Sequence, residues 1–482
     1  MTFPSPTFIL LLAVFTPVYF WLARRIPSGL AAMLPVAFSI GLYAGWGVGA
    51  LAVLGIQAMC NCFAAKQLSG SQGASRHRLL VGAILFNVLL LAACKYSGAV
   101  LPVFASMAGL EAVLAQPFLP PGLSFVTFIQ IAMLVDVGTR RQAFVGPLNT
   151  LRFLFFFPYM LSGPIARYGE TTRQFDAPGA LTFSWDNAAR ALTLFSLGLF
   201  KKTVLADNLA PFVDQGFLNA GSLEFFSAWI STLAYTLQLY FDFSGYSDMA
   251  IGAALLFNIR LPDNFLSPYK AMSIQDFWRR WHVSLGAFMR DYMYIPLGGS
   301  RQGLARQCAN ILAVFLLVGA WHGEGWTFVA WGGLHGLGLA IHACWRSTGW
   351  RLPRAAGWLL TFLFVHCCWV IFRAKDLAQA GSIFTAMAGR KGASLPSSLA
   401  WLAQRYPELP LHVEGLMPGI PKPLLALAAV PMLLGFCLLF RNSMELTEGL
   451  RPGWAWSFFA GAAAVLGLVS SAPEARFLYF QF

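Results

Sequence analysis

Two histidines stand where a proton could be moved during a group transfer. His282 closes the run Asp276-Phe277-Trp278-Arg279-Arg280-Trp281-His282, which holds three aromatics, two arginines, an aspartate and a histidine in seven residues. His322 follows the apolar run 311–320 and sits within Gly319-Ala320-Trp321-His322-Gly323-Glu324-Gly325. Small residues beside it permit close approach of backbone or ligand, and Trp321 can wall a narrow site. A neutral imidazole there can take a proton from an attacking hydroxyl. Ionisable groups at membrane depth are costly and tend to face a protein interior or a water-filled path, so they carry a functional hypothesis by default. The bland alternative is a buried histidine satisfied by a hydrogen bond.

The remaining histidines carry weaker signals. His77 falls in a basic loop and His412 in a long irregular stretch. His342 and His366 are isolated in apolar runs and read as bonded to helix carbonyls. His335, in Trp331-Gly332-Gly333-Leu334-His335-Gly336, lies nearer the centre of the pattern. Zinc would want two histidines at i, i+4 with a third ligand. His282, His322 and His335 lack that spacing, so no metal site is expected. No GxSxG elbow and no P-loop is present.

Two polar clusters flank this centre. Asp242-Phe243-Ser244-Gly245-Tyr246-Ser247-Asp248 sets two carboxylates beside hydroxyls. It reads either as a helix break capped at Ser244 or Ser247 or as the lining of a polar path. Arg279 and Arg280, with Arg301 and Arg306 downstream, suit an anionic group such as a phosphate or a pantetheine carrier. For Arg301 and Arg306 simple membrane anchoring is an equal reading.

The elements that must carry these residues are membrane helices. Of 482 residues, 57% are hydrophobic and only 11% charged, against about 25% charged in a soluble domain. Apolar stretches at 5–23, 30–46, 48–65, 79–95, 119–137, 190–206, 225–241, 245–258, 308–322, 326–343, 356–373, 424–440 and 455–471 are candidate spans. At roughly 20 residues per crossing, about eleven full crossings plus re-entrant pieces are expected. The net charge of +13 fits basic cytoplasmic loops better than nucleic acid. The eight cysteines form no CxxC pair, so neither a metal nor a disulfide framework is read from them. With no basic leader and no small-residue cleavage signature, Thr7 to Leu22 reads as a retained first span. Arg24 and Arg25, then Lys66, Arg76 and Arg78, then Arg140, Arg141 and Arg152 alternate with neutral turns. This places the N-terminus outside and those basic loops in the cytoplasm. No internal repeat is visible.

Three irregular stretches stand out. Phe153 to Pro164, flanked by Arg152 and Arg167, reads as a broken segment whose freed backbone is buried in protein, with a proline-kinked span as the alternative. Ser382 to Lys422, rich in Gly and Pro, reads as an irregular surface excursion. The tail Arg476-Phe477-Leu478-Tyr479-Phe480-Gln481-Phe482 reads as interfacial.

Taken together, these motifs resemble the membrane-bound O-acyltransferase family. The resemblance rests on Asp276 to Leu285, Trp321-His322-Gly323, Pro121-Gly122-Leu123-Ser124-Phe125, Phe157-Pro158-Tyr159 with Ser162-Gly163-Pro164-Ile165, Tyr240 to Asp248, Asp291 to Gly299 and the Tyr479 to Phe482 tail. It is closest to the bacterial branch of alginate O-acetyltransferase membrane subunits and teichoic acid D-alanyl transferases. It implies an all-α polytopic membrane protein, a single acyltransferase domain over 1–482, with re-entrant helices around a central tunnel. It implies that His322 is catalytic and His282 the second active-site residue. Trp278, Arg279, Trp281, Asp242, Ser244, Trp321 and Tyr294 are then expected to bind substrate. No bound cofactor is implied; acetyl-CoA or another acyl thioester is the donor. The family resemblance further implies a place in the bacterial inner membrane and an extracytoplasmic partner protein that passes the acetyl group to an exported polysaccharide such as alginate. D-alanyl transfer from a carrier protein is the rival reading, and a transporter without chemistry a third. Glu324 and Gly325 depart from the alginate-type pattern. A carboxylate so near His322 would raise the imidazole pKa or cap a helix. The amino-terminal third matches loosely, so no role is carried onto it.

Overall fold

The structure, a computed structural model, describes residues 2–97, 119–396, 404–405, 412–414, 423–450, 453–471 and 478. It is built almost wholly of helices, as the composition requires. Among the described residues, five helices are long and apolar enough to cross a bilayer: Pro6–Ala23, Val48–Gly70, Gly73–Lys95, Gly303–His322 and Arg354–Arg373. Shorter apolar helices are Ser28–Ala44, Leu123–Gly138, Leu424–Leu439 and Trp454–Val469. In hydrocarbon the backbone must satisfy itself, which leaves the helix as the only open-chain solution. Among the described residues the one strand pair is short, Ser394–Pro396 running parallel to His412–Glu414.

The chain forms two compact units. The first is Met1–Leu199 with Tyr246–Asn264 and Gly449–Phe480; the second is Phe200–Gly245 with Phe265–Glu448 and Gln481–Phe482. In the first unit, Ser5 caps the opening helix by accepting the Phe8 N–H, with Pro6 in its first turn. Three helices, Val48–Gly70, Gly73–Lys95 and Leu123–Gly138, share a buried cluster of amides. Gln57 donates to Asn87 and Thr127, each at 2.9 Å, and Asn61 donates to Asn87 at 2.8 Å and to Gln130. Such bonds hold helices together where no hydrophobic force acts between them.

The broken segment appears as expected. The helix Pro147–Leu154 stops, a single turn follows at Phe157–Met160, and Ser162 takes φ 73°. The freed Phe157 N–H donates to Ser39 Oγ at 2.9 Å, and the whole stretch is buried. The backbone is therefore paid for by protein, not lipid.

Elsewhere the elements differ from the sequence reading. The two spans expected at 225–241 and 245–258 are one 31-residue helix, Phe225–Leu255, with no break at Asp242 to Asp248. Its polar residues find tertiary partners, so they have no need to cap a terminus. Asn264 Nδ2, for example, donates to Ser247 Oγ at 3.0 Å. The span expected at 190–206 ends its α-helix at Phe200, turns π-helical over Lys201–Ala206, and continues as Asp207–Leu218. The excursion expected from Ser382 begins instead inside helix Leu377–Met387, whose apolar face at Ala380, Ile383, Ala386 and Met387 is buried. Most of the rest of that excursion, and the aromatic tail apart from Leu478, lie outside the described residues.

The second unit contains a helical hairpin, Gly303–His322 and Trp326–Ser347, joined by residues 323–325. Glycines let its two backbones touch. A Cβ on Gly332 would lie 3.0 Å from Gly319 Cα and collide with the Phe315 carbonyl. A Cβ on Gly336 would lie 3.1 Å from Leu312 Cα. This close contact is the geometry of small-residue interfaces in membranes.

Candidate active site

Every candidate site residue falls in the second unit. Construction starts at Ser273. Its Oγ accepts the Asp276 N–H at 3.1 Å and opens the short helix Ile274–Trp278. Asp276 turns back to accept the Met272 N–H at 3.2 Å, a reciprocal cap. Asp276 also pairs with Arg280 at 2.8 Å. Both partners are about one-third exposed, so the pair is worth only a few tenths of a kcal/mol. The helix ends at Arg279, which is exposed. An isolated antiparallel bridge then ties Trp281 to Phe265, and Leu266 N donates to Arg280 O at 2.9 Å.

His282 follows in the left-handed region at φ 44°, ψ 54°. Non-glycine residues seldom sit there, though His is among those that do. Strain of this kind costs on the order of 1–3 kcal/mol and clusters at functional sites. The imidazole offsets part of it by capping helix Val283–Met289: Nδ1 accepts the Leu285 N–H at 3.3 Å. That bond leaves the proton of the neutral ring on Nε2. Burial lowers the imidazole pKa to about 3, so the ring is neutral at pH 7. Phe243 meets it edge-on at 4.8 Å.

His322 is reached by a different route. It is the last residue of helix Gly303–His322 and is 4% exposed. Its ring is walled by Trp321 at 4.5 Å, Trp331 at 4.9 Å and Phe372 at 5.2 Å. Gly323 admits the Phe328 ring so closely that no side chain would fit there. Glu324 is exposed in the connection that follows.

The two histidines belong to one chain of aromatic contacts. From His282 it passes through Phe265 at 6.4 Å to Trp281 at 5.0 Å, then to Trp369 at 4.9 Å. From Trp369 it continues to Trp331 at 5.9 Å and so to His322. Trp278 joins the cluster from the side: its Nε1 donates to His335 Nδ1 at 3.2 Å, and His335 packs on Trp331 at 4.8 Å. His335 is fully buried. Sequence reasoning ranked it below His322; the missed signal is its i, i+4 spacing from Trp331, which puts both on one helix face. Trp369 and Phe372, three apart on helix Arg354–Arg373, were missed for want of a motif.

The other candidates scatter. Asp242 and Ser244 flank Phe243 on helix Phe225–Leu255, but their polar atoms meet lysines of the π-helical turn. Lys202 Nζ lies 2.7 Å from Asp242 and 2.5 Å from Asp207. Lys202 and Asp242 side chains are 2% and 1% exposed. Lys201 Nζ donates to Ser244 and Ser443, each at 3.1 Å. A π turn often marks a functional site, and here it aims consecutive lysines at the helix that carries Phe243. Neither lysine was singled out in the sequence. Tyr294, at the end of π turn Arg290–Tyr294, hydrogen-bonds Ser300 and Gln307. Arg279 faces the side of His342 and Arg346. Among the described residues no group of three His, Cys, Asp or Glu forms a metal cluster.

Such a cluster can move a proton in a buried, aromatic-walled space. The model of the membrane-bound O-acyltransferase family matches residues 42–375, which include every candidate site residue. A peptidoglycan O-acetyltransferase of Helicobacter pylori is 36% identical over 483 residues, covering 93% of this chain and 90% of that protein. A probable alginate O-acetylase AlgI of Pseudomonas aeruginosa is 35% identical over 396 residues, covering 80% of this chain and 75% of that protein. A teichoic acid D-alanyltransferase of Bacillus subtilis is 26% identical over 253 residues, covering 49% and 64%.

Proposed function

Since the chain belongs to the membrane-bound O-acyltransferase family, we propose that this multi-pass membrane acyltransferase moves an acetyl group from a cytoplasmic thioester to an exported polysaccharide. The donor is acetyl-CoA or another acyl thioester. The observation that carries the reading is His322, buried at a helix end between Trp321, Trp331 and Phe372. His322 takes the proton of an acceptor hydroxyl as its oxygen attacks the thioester carbonyl. Collapse of the tetrahedral intermediate expels the thiolate, which takes that proton from the imidazolium and leaves as the thiol. General-base help of this kind is worth about 10²–10⁴-fold. His282 supports charge or orients substrate; its Nε2–H tautomer suits a donor to the developing oxyanion. Exposed Arg279 suits the anionic part of the donor.

The acceptor follows from the relatives only in outline. The relative that matches nearly end to end is a peptidoglycan enzyme, which favours a wall glycan over alginate. An extracytoplasmic partner receives the acetyl group, and the host membrane is the bacterial inner membrane. D-alanyl transfer has less support, because that relative covers half the chain. The test is ester-linked acetate in the host's wall and exported glycans, wild type against His322→Ala at matched membrane levels. Loss of acetate with glycan yield unchanged supports the reading. Unchanged acetate removes His322 as the base, and loss of D-alanyl esters alone would substitute the second reading.

A further inference from the structure

A groove outside the active site has the chemistry of a lipid site. It runs between helices Val48–Gly70 and Gly73–Lys95, has a volume of about 580 Å³, and is lined by Cys60, Asn61, Ser75, Arg78, Gly82 and Phe86 among others. That size falls in the range of about 300–1,000 Å³ typical of ligand pockets. Its lining is graded. Arg78 and Ser75 stand at one end, exposed, while Leu79, Gly82, Ala83 and Phe86 form the apolar length. Buried Asn61 touches it from the amide cluster, already bonded to Asn87.

The two arginines of this turn are used differently. Arg76 Nε and Nη2 both donate to the Leu68 carbonyl at 3.2 Å and so cap the preceding helix. Among the described residues no hydrogen bond or ion pair holds Arg78. Helix Gly73–Lys95 is long and apolar enough to cross a bilayer, and little of it is buried among the described residues. Charge alternation places the Arg78 end at the cytoplasmic surface. Basic pockets between membrane helices on that side take anionic lipid head groups.

We propose that this groove binds an anionic phospholipid. Its phosphate sits on Arg78 and Ser75, and an acyl chain lies along Leu79, Gly82 and Phe86. A free phosphate would use the arginine and leave the apolar length empty, so the lipid is the better fit.

The test uses the full chain in detergent micelles with phosphatidylglycerol or phosphatidylcholine titrated in, and native mass spectrometry reads the retained lipid. Wild type should retain phosphatidylglycerol in preference to phosphatidylcholine. Arg78→Gln should lower phosphatidylglycerol affinity about fivefold, from the roughly 1 kcal/mol a basic residue contributes near a charged membrane. Gly82→Phe fills the apolar length; a Cβ at Gly82 meets nothing within 4 Å, so this variant should fold and lose both lipids. Equal retention of the two lipids by wild type, or wild-type retention by both variants, would overturn the proposal. Displacement of the lipid by millimolar inorganic phosphate alone would reduce the site to a simple anion site and also overturn it.

Discussion

At the scale of single residues, the two histidines are held in opposite ways. His322 is placed by its helix and by aromatic walls, so its removal should cost chemistry and little fold. His282 is placed by a strained backbone that its own ring helps to cap. Asn tolerates the left-handed region and can accept the Leu285 N–H. His282→Asn should therefore keep wild-type thermal stability, while β-branched His282→Val should lose about 1–3 kcal/mol; a thermal unfolding series in detergent checks this order. The pH sign follows from burial. Below about pH 6.5 the unfolded chain protonates this residue, while the folded ring, lowered to about 3, stays neutral. Stability from His282 is thus full above that pH and falls as pH drops toward 3. His282→Asn should unfold less steeply with acid than wild type over that window. Both histidines stood out in the sequence because each sits in a dense, unusual run. His335 was harder to read, since its partner Trp278 is 57 residues away in sequence.

At the scale of elements, the hairpin carrying His322 depends on glycine. Gly332→Ala must push against the Phe315 carbonyl and Gly319. Overpacking of this kind costs about 1–3 kcal/mol, and it should shift Trp331 and with it the wall of His322. The expected result is lowered thermal stability together with lowered transfer, whereas Gly381→Ala, where a Cβ meets nothing within 4 Å, should spare both. The π turn makes a second test. Lys202 is buried between Asp207 and Asp242, and removing one member of a buried pair strands the other charge at about 3–5 kcal/mol. Lys202→Met should therefore unfold at lower temperature, and adding Asp242→Asn should recover part of the loss. Equal stability of Lys202→Met and wild type would show that the pair is not what holds that helix. The sequence pattern gave no hint of this lock. Polar residues in an apolar run read as a break when their partners, 40 positions upstream at Lys202, cannot be seen. Helix Phe225–Leu255 is continuous for that reason.

At the scale of the whole molecule, membrane class and helical architecture were plain in composition, because a chain with so few charges has nowhere else to fold. Family membership was legible too, from motifs that each mean little alone. The span count was less so. Length and hydropathy single out five described helices, and the shorter apolar ones need packing to decide. The amide cluster of Gln57, Asn61, Asn87 and Gln130 escaped notice because its members are spread over three helices. Acyl transfer with His322 as the base is what the rest of this reading depends on. Host membranes that retain the extracytoplasmic partner, given labelled acetyl-CoA, report on it through the rate of acetyl ester formation on the exported glycan. The rate should be about 10²–10⁴-fold lower for His322→Ala than for wild type, with both proteins equally folded. Equal rates for the two would contradict it.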